Sequence, residues 1–501
     1  MGTKAIVIGG GIAGLSAGIY AQKCGFDVTV LEGHNIPGGN CTSWRRGGYL
    51  FEGGMHWLTG SCMNEAINKS WRYVGALNGD VAVHYREPFL EYNHEGIPVR
   101  FYRDVDKTEL EWLELSPADA AEIKKLCGNI RKVKNFSMPL SYIRGVKVTK
   151  KVRPSPSLLL AALSALLVMS RFSKISVEQY INRFKHEGIR EILRSCSSES
   201  MGIAPLFFTM GTLARGDGGF PEGGSLPFAK RMADTLTSLG GKIFYGARAE
   251  RVIMENSKAV GVAANMKGAD SGIRRFDADA VIVAADTMAI DYLFDEPIKS
   301  DWLDEMKAKT RPTMATFVSL GIGADLRRYP GQSIYKPDSP LRLGGQTYKY
   351  LSVNNYASDP VYSPEGKSAL TLILDGDTYD FWKKARADNT YADEKEKLAG
   401  GVITALARFM PEIYDNVEVW DVATPLTYER YCGNWKGSWM TEMDSWLKVK
   451  TYPPVIKGLD GVYFAGHRMM PPGGLPIALT SGRTAVQYLC RDTGTLFVGE
   501  D

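Results

Sequence analysis

The sequence predicts an α/β fold that begins with a strand, a tight turn and a helix. Residues 5–8 form an apolar run typical of a short buried strand, and a glycine-rich run over residues 9–14 follows it. Residues 15–24 then show a helical pattern of small and apolar side chains. A second strand over residues 27–31 ends in Glu32. This order is that of a Rossmann-type dinucleotide-binding segment.

Each glycine of the run has a physical task in such a segment. Gly9 makes the turn, Gly11 lets the backbone approach a pyrophosphate, and Gly14 lets the helix lie close to the strand. The N-terminus of the helix then faces the phosphates, and Ile12 and Ala13 just before the helical pattern are also expected at the cofactor. Glu32 suits a ribose with free hydroxyl groups and repels a 2′-phosphate, which favours FAD or NAD over NADP.

The next residues favour FAD over NAD. Residues 36–40 (Ile-Pro-Gly-Gly-Asn) place Gly38, Gly39 and Asn40 directly after the acidic residue. This glycine pair resembles the extended fingerprint of the glutathione-reductase-like and amine-oxidase-like flavoproteins. The fingerprint usually carries arginines around the pair, and we expect Arg45 or Arg46 to supply the missing positive charge near the phosphates.

Size and composition set limits on the rest. At 501 residues the chain is long enough for two or more domains. Its net charge of +4 is small for this length and does not indicate that the protein binds nucleic acid. The seven cysteines show no zinc or haem spacing, so we expect reduced thiols, no metal site and a cytoplasmic protein. We expect no secretory segment before the first strand.

Two further segments carry cofactor-like patterns. A middle block contains a Gly-Gly-Phe-Pro-Glu-Gly-Gly turn at residues 218–224, a helix through residue 239, and strands at 242–245, 248–254, 260–264 and 276–285. Near the end, a strand closes at Gly466, and a Pro-Gly turn leads into a helix that begins near Gly474, Leu475 and Pro476. The N–H groups of such a helix end stabilise negative charge on a reduced flavin.

Taken together, the three segments resemble the phytoene-dehydrogenase-related flavoproteins, which include carotenoid desaturases, carotenoid isomerases and retinol saturases. The resemblance implies noncovalent FAD and a glutathione-reductase-like FAD-binding domain built from residues 1–75, 216–290 and 455–501. It also implies a second, α+β substrate domain built from residues 76–215 and 291–454.

The resemblance also implies particular contacts. Val252 is expected to meet the adenine through its backbone, and Ala284 and Ala285 are expected near the pyrophosphate. A strand-like piece at residues 47–57 is similar to the segment that passes the isoalloxazine ring, which places Gly54, Met55 and His56 there. The alternative is a glycine-rich loop with a buried aromatic residue.

At the flavin end, one more residue differs from the family pattern. His467 replaces the acid that commonly follows the C-terminal glycine of the family. The candidates for residues near the flavin are therefore His56, His467 and Arg468, and the sequence assigns no catalytic acid or base among them.

Three reactions fit this pattern. The first is FAD-dependent desaturation or saturation of a carbon–carbon bond in a long apolar substrate such as a carotenoid, a retinoid or another isoprenoid or lipid. The alternative is an FAD-dependent isomerase or hydratase of a polyene or unsaturated fatty acid, and amine oxidation ranks third. No Ser-His-Asp or metal pattern competes with the flavin.

One apolar run, residues 158–169, suggests a membrane contact. As a helix it is about 18 Å long, against about 30 Å of hydrocarbon, so it cannot span a bilayer. Basic residues flank it: Arg144, Lys147, Lys150, Lys151, Arg153, Arg171 and Lys174. It is either a peripheral contact with the inner face of a membrane or a core helix of the cap, and the sequence does not indicate an oligomeric state.

Overall fold

The computed structural model of the protein describes residues 2–63, 65–137, 140–149, 156–196, 202–268, 271–443 and 450–500. In chain order its strands are β1 (Lys4–Ile8), β2 (Asp27–Glu32), β3 (Ser43–Arg46), β4 (Tyr49–Glu52), β5 (Val83–His84), β6 (Leu90–His94), β7 (Ile97–Phe101), β8 (Lys147–Val148), β9 (Phe220–Pro221), β10 (Lys242–Tyr245), β11 (Ala247–Glu255), β12 (Lys258–Met266), β13 (Gly272–Asp277), β14 (Ala280–Val283), β15 (Thr310–Thr313), β16 (Ala315–Ile322), β17 (Gln332–Tyr335), β18 (Leu341–Leu343), β19 (Gln346–Tyr348), β20 (Leu351–Asn355), β21 (Ser368–Asp375), β22 (Val417–Ala423), β23 (Met440–Met443), β24 (Val462–Phe464) and β25 (Leu496–Phe497).

Its α-helices, also in chain order, are α1 (Ile12–Lys23), α2 (Ala66–Tyr73), α3 (Val105–Leu115), α4 (Ala120–Lys134), α5 (Pro156–Phe172), α6 (Val177–Ile181), α7 (Glu187–Ser195), α8 (Ile203–Ala214), α9 (Ser225–Ser238), α10 (Asp301–Lys309), α11 (Tyr379–Ala387), α12 (Tyr391–Leu406), α13 (Ile413–Asn416), α14 (Pro425–Cys432) and α15 (Leu475–Thr493).

A five-stranded sheet in the order β10-β2-β1-β14-β24 forms the centre of the nucleotide-binding part, and every neighbouring pair in it is parallel. Its strands come from three separate stretches of the chain. One face packs against α1, α9 and α15, and the other packs against the antiparallel sheet β11-β12-β13. Both faces are therefore covered, as a parallel sheet requires.

Small residues bring the helices close to this sheet. A Cβ atom at Gly14 would lie 1.9 Å from the carbonyl oxygen of Gly9, so only glycine lets α1 leave the turn at this angle. On the other side of α1, a Cβ at Gly482 of α15 would lie 2.4 Å from the carbonyl oxygen of Ala13. These approaches fix the N-terminus of α1 at the carboxyl end of β1.

A seven-stranded mixed sheet, in the order β22-β16-β21-β20-β17-β6-β7, lies in the part of the chain outside those three stretches. Neighbouring strands are antiparallel, except that β17 and β6 are parallel. One face packs on α12 through residues such as Leu372 and Leu374. The opposite face carries Ala315 and Phe317, which pack with Tyr428 of α14.

Helices α3 to α8 form a separate helical core beside β6 and β7. Within it, α5 is buried on one side only, through Ala165, Val168 and Phe172. Its other side exposes a stripe that we call the leucine face, made of Leu159, Leu160, Leu163, Leu166 and Leu167. The helix is therefore not a fully buried core helix. Of its basic flanks, Lys150, Lys151 and Arg153 lie outside the described residues, whereas Arg144, Lys147, Arg171 and Lys174 are exposed.

Candidate functional site

One continuous cavity of ≈ 2970 Å³ joins the two sheets. It begins at the carboxyl ends of β1, β2, β14 and β24, where ligands bind in doubly wound sheets. It then crosses the face of the seven-stranded sheet that carries Phe317 and reaches α5 at Leu166 and Met169. The first part has the features of a dinucleotide site, and the second part is a channel.

At its dinucleotide end the cavity is lined by the backbone of glycine residues, and we call this part, around Gly11, Gly38 and Gly39, the cradle. Gly11 precedes α1, and a Cβ there would meet nothing nearer than the backbone of Gly38, 3.8 Å away. The N–H of Gly38 donates to the carbonyl oxygen of Gly10 over 2.9 Å, which holds the two glycine loops together, and Gly39 faces Gly11. Since the positive end of α1, at Ile12 and Ala13, also lines the cavity, this cradle fits a pyrophosphate.

The Glu32 carboxylate stands at the end of β2 beside this cradle. It accepts the N–H of Gly10 over 2.6 Å and that of His34 over 2.7 Å. Burial raises the pKa of Glu32, and the two hydrogen bonds oppose that rise. A carboxylate has about four lone-pair sites, so acceptor capacity remains for the hydroxyl groups of a ribose.

At the adenine end, the backbone contact expected for Val252 stays a prediction. The Val252 side chain is 1% exposed in the core between β11 and β12, and Arg248 and Ala249 line the cavity nearby on the same strand. A β-bulge between Ala249 and Arg251 interrupts the alternation of β11, so Ala249 and Val252 both contribute side chains to the same core.

The structure also corrects the expectation for Arg45 and Arg46. Both are exposed, and neither lines the cavity. The guanidinium of Arg45 donates to the carbonyl oxygens of Gly48 and Val361 over 3.3 Å, and Arg46 lies 3.4 Å from Asp421. They belong to the hairpin of β3 and β4, which turns them away from the phosphates.

Asn40 instead connects the glycine pair to the opposite wall. Its side-chain oxygen accepts a hydrogen bond from Asn434, which follows α14. Ala284 and Ala285 line the cavity at the end of β14, and Gly466 lines it at the end of β24. The structure thus brings these predicted residues to one region of the cavity.

The segment with Gly54, Met55 and His56 forms the wall where the two parts of the cavity meet. The Glu52 carboxylate fixes it by accepting the N–H groups of Gly54 and Met55 over 2.9 and 3.0 Å. The ring of His56 stacks on Phe317 with the centroids 5.9 Å apart. Burial and the nearby charge of Arg86 lower the pKa of His56 to about 3, so its imidazole is neutral at physiological pH.

His467 and Arg468 differ in what they can do. His467 lines the cavity, and burial together with Arg468 lowers its pKa to about 3. Arg468 is 1% exposed and uses all its N–H groups on the protein: Nε and Nη2 donate to Asp286 over 2.7 Å, and the others reach Ser438, Met440 and Thr441. No donor remains for a ligand, so Arg468 is a positioning residue.

Asp286, which sequence reasoning did not single out, is the partner that makes this connection. Burial opposes its ionisation, but Arg468 beside it keeps the pKa of the Asp286 carboxyl below its usual value. Asp286 also accepts the N–H of Trp435 over 2.9 Å. The pair therefore joins the end of β14 to residues 435–441, which include the cavity-lining Trp439.

The C-terminal loop presents a helix end to the cavity. Gly473 and Gly474 have φ values of +100° and +95°, which favour glycine, and α15 begins at Leu475 with Pro476 in its first turn. Gly474, Leu475 and Pro476 all line the cavity. The positive end of a 19-residue helix lies here, as a flavin that gains negative charge requires.

Comparison with known proteins agrees with this geometry. The family model described as flavin containing amine oxidoreductase matches residues 12–490. The chain is 24% identical to the chloroplastic prolycopene isomerase of Daucus carota, over 98% of this chain and 80% of that protein. It is 24% identical to the all-trans-retinol 13,14-reductase of Danio rerio, over 95% and 85%. It is also 24% identical to the all-trans-zeta-carotene desaturase of Myxococcus xanthus, over 98% and 93%.

Among solved structures, a triple mutant of putrescine oxidase has a TM-score of 0.63 at 16% identity, covering 98% of this chain and 99% of that one. At this identity the likeness concerns the fold, and it confirms the predicted α/β architecture with an FAD-binding domain and a substrate domain. The match over nearly the whole length and the cofactor cradle lead to one conclusion: the chain belongs to the family of flavin-containing amine oxidoreductases and is an FAD-dependent oxidoreductase.

Proposed function

We propose that the protein desaturates or saturates carbon–carbon bonds of a long apolar substrate, such as a carotenoid, a retinoid or another isoprenoid or lipid. The observation that carries this proposal is the size and continuity of the cavity, ≈ 2970 Å³. Typical ligand pockets measure about 300–1,000 Å³. Even with FAD in the cradle, a channel remains that crosses the second sheet and reaches α5.

The lining of the channel supports an apolar substrate. Phe317, Ile334 and Ile373 line it from the sheet, and Leu166 and Met169 line it from α5. FAD supplies hydride transfer to or from the substrate carbon. The neutral His56 and the ring of Phe317 form the wall at the junction, where they limit the space open to water.

In this proposal the FAD-binding domain comprises residues 1–75, 216–290 and 455–501, and the substrate domain comprises residues 76–215 and 291–454. The cofactor contacts are the cavity-lining residues of the cradle, the isoalloxazine segment and the C-terminal loop: Gly9, Gly11, Ile12, Ala13, Glu32, Gly38, Gly39, Asn40, Gly54, Met55, His56, Ala249, Ala284, Ala285, Gly466, Gly474, Leu475 and Pro476. Gly14 supports the cradle from within α1.

The names of the three relatives support a reaction at double bonds, since one is an isomerase, one a reductase and one a desaturase. The isomerase keeps a second candidate open, namely an isomerase or hydratase of a polyene or unsaturated fatty acid that uses FAD without net oxidation.

Anaerobic photoreduction separates these reactions. The photoreduced protein, and in a parallel anaerobic sample the oxidised protein, are each mixed with lycopene, all-trans-retinol or oleate while the flavin absorbance is followed. Flavin reoxidation without oxygen indicates saturation, reduction of oxidised flavin by a substrate indicates desaturation, and a changed product with no net redox change indicates an isomerase or hydratase. If none of the compounds reacts but a primary amine reduces the flavin, the proposal is wrong.

We also propose that the leucine face of α5 binds an anionic membrane surface. Within the described part of the chain, no helix combines the length and apolar character needed to cross a bilayer. The leucine face is nevertheless exposed, with Arg171 and Lys174 just beyond it, and Leu166 belongs both to this face and to the cavity wall. A substrate dissolved in the membrane would then enter the channel where the helix meets the lipid.

A further inference from the structure

The face of the seven-stranded sheet that carries Phe317 also carries Asp375, at the end of β21. In the antiparallel register Phe317 lies opposite Ile373, and Ala315 lies opposite Asp375. Residues two apart on a strand share a face, so Asp375, Ile373 and Phe317 all face the cavity, and all three line it. Asp375 is diagonal to Phe317, a separation of about 7–8 Å between such neighbours.

Asp375 differs from the acidic residues that support the cofactor cradle. Glu32 is held by backbone N–H groups, and Asp286 is paired with Arg468. Among the residues that the structure describes, no hydrogen bond or charge partner contributes to the ionisation of Asp375, and burial is its one cause of perturbation. The Asp375 side chain is exposed to the open volume of the cavity, and the protein that encloses the cavity raises its pKa.

We propose that Asp375 is a catalytic residue that exchanges a proton with a substrate carbon in the channel. This inference rests on the proposed function. In desaturation, a C–H bond breaks and its proton passes to the Asp375 carboxylate, while the neighbouring carbon loses a hydride to the flavin and the π bond forms. The substrate is oxidised and the flavin reduced. In saturation the protonated carboxyl gives its proton to one carbon while the other receives the hydride.

The acidity of the group suits this exchange. Burial raises the pKa of Asp375 to about 6, so both protonation states are populated near neutral pH. An apolar substrate that displaces cavity water removes solvent from the carboxylate and raises the pKa further. The other titratable side chains on this part of the wall are Tyr348, Arg311, Asp377, Asp380, Lys383 and, beyond Phe317, His56.

The electrostatics around Asp375 leave it the natural proton carrier. Burial raises the pKa of Tyr348, and the charge of Asp375 raises it further, so the phenol stays protonated. His56 stays neutral, because its pKa is about 3. Asp375, with a pKa of about 6, is therefore the group near Phe317 that can take up and release a proton near neutral pH.

The test compares Asp375→Asn with Asp393→Asn in the FAD-loaded protein. Asp393, in the first turn of α12, is exposed like Asp375 but does not line the cavity, so it is a control for the loss of one exposed carboxylate. With whichever of lycopene, all-trans-retinol or oleate the wild type converts, Asp375→Asn should lower kcat by about 10²–10⁴-fold, the usual contribution of general acid–base catalysis. Asp393→Asn should leave kcat at the wild-type value.

Two further readouts separate catalysis from packing. The infrared band of a protonated carboxyl should be lost as pH rises through about 6 in the wild type and be missing in Asp375→Asn. The wild-type rate should rise with pH through the same range for desaturation, which needs the carboxylate, and fall for saturation, which needs the acid. The rate of Asp375→Asn should not change with pH in this range.

The outcomes are distinct. If the wild type converts a compound and Asp375→Asn converts it equally fast with the same pH profile, the Asp375 assignment is wrong and the proposed function stands. If the infrared band does not titrate between pH 5 and 7, the assignment is also wrong. If the wild type converts none of the compounds, the proposed function fails and the role of Asp375 fails with it.

Discussion

Substituting two leucines of the leucine face should release the protein from anionic membranes. Leu160 and Leu167 are 69% and 64% exposed, and neither lines the cavity, so Leu160→Glu with Leu167→Glu leaves both the core and the channel unchanged. The exposed parts of the two side chains together equal about one and a third whole leucine side chains. Burying a leucine is worth about 1.5–3 kcal/mol, so the double substitution should cost roughly 2–4 kcal/mol of membrane affinity, or roughly 30- to 700-fold.

The assay is sedimentation with phosphatidylglycerol vesicles at low and high salt. The wild type should sediment at low salt and less at high salt, since Arg144, Lys147, Arg171 and Lys174 are exposed and each adds about 1 kcal/mol at an anionic surface. Unchanged flavin absorbance and an unchanged Tm would show that the variant is folded.

The control is Leu110→Glu, because Leu110 is 63% exposed on a different helix, α3. It should bind vesicles as the wild type does. The reasoning is refuted if the wild type never sediments with vesicles, or if Leu110→Glu weakens binding as much as the double substitution does.

Three predictions concern the cofactor cradle and its support. Gly11→Val should fold, since a Cβ there meets nothing nearer than 3.8 Å, but should purify without FAD because the side chain fills the cradle; stoichiometric FAD would contradict this. Glu32→Ala should weaken FAD binding by about 1.5–3 kcal/mol in titrations of the apoprotein, whereas Arg45→Gln with Arg46→Gln should change nothing. Asp286→Asn should cost about 3–5 kcal/mol in denaturant unfolding, since it leaves a buried guanidinium unpaired. Because the folded pKa of Asp286 is lowered, this stabilisation is present above pH about 3.9 and is lost in stronger acid; an unchanged midpoint would contradict the pairing.

The cradle could be predicted from the sequence because its requirements are local. Gly11, Gly14 and Glu32 all belong to the first strand, turn and helix and the strand that follows. Their spacing in the sequence is therefore enough to predict their positions around the pyrophosphate and the ribose. The same holds for the strands of the middle block, where β10, β12 and β14 lie close to the predicted ranges. The family resemblance predicted that the FAD-binding domain is built from three segments of the chain, and the comparisons confirm the fold class.

Other features of the structure depend on contacts that no local sequence pattern predicts. The bulge between Ala249 and Arg251 in β11 is one example, since nothing in the residue types of that strand reveals a bulge. The parallel pairing of β6 with β17 joins residues far apart in the chain. Asp375 could not be singled out because its importance comes only from the register of β21 with β16.

The order of strands in the parallel sheet has a consequence for biosynthesis. β14 ends at Val283, but its neighbour β24 begins only at Val462. At about 5–20 residues per second, the ribosome needs roughly 9–36 s to make the intervening stretch. During that time β14 is an open edge that can pair with another chain. The helix end proposed to face the flavin, at the start of α15, is made later still, so the proposed FAD site is completed only after α15 has left the ribosome.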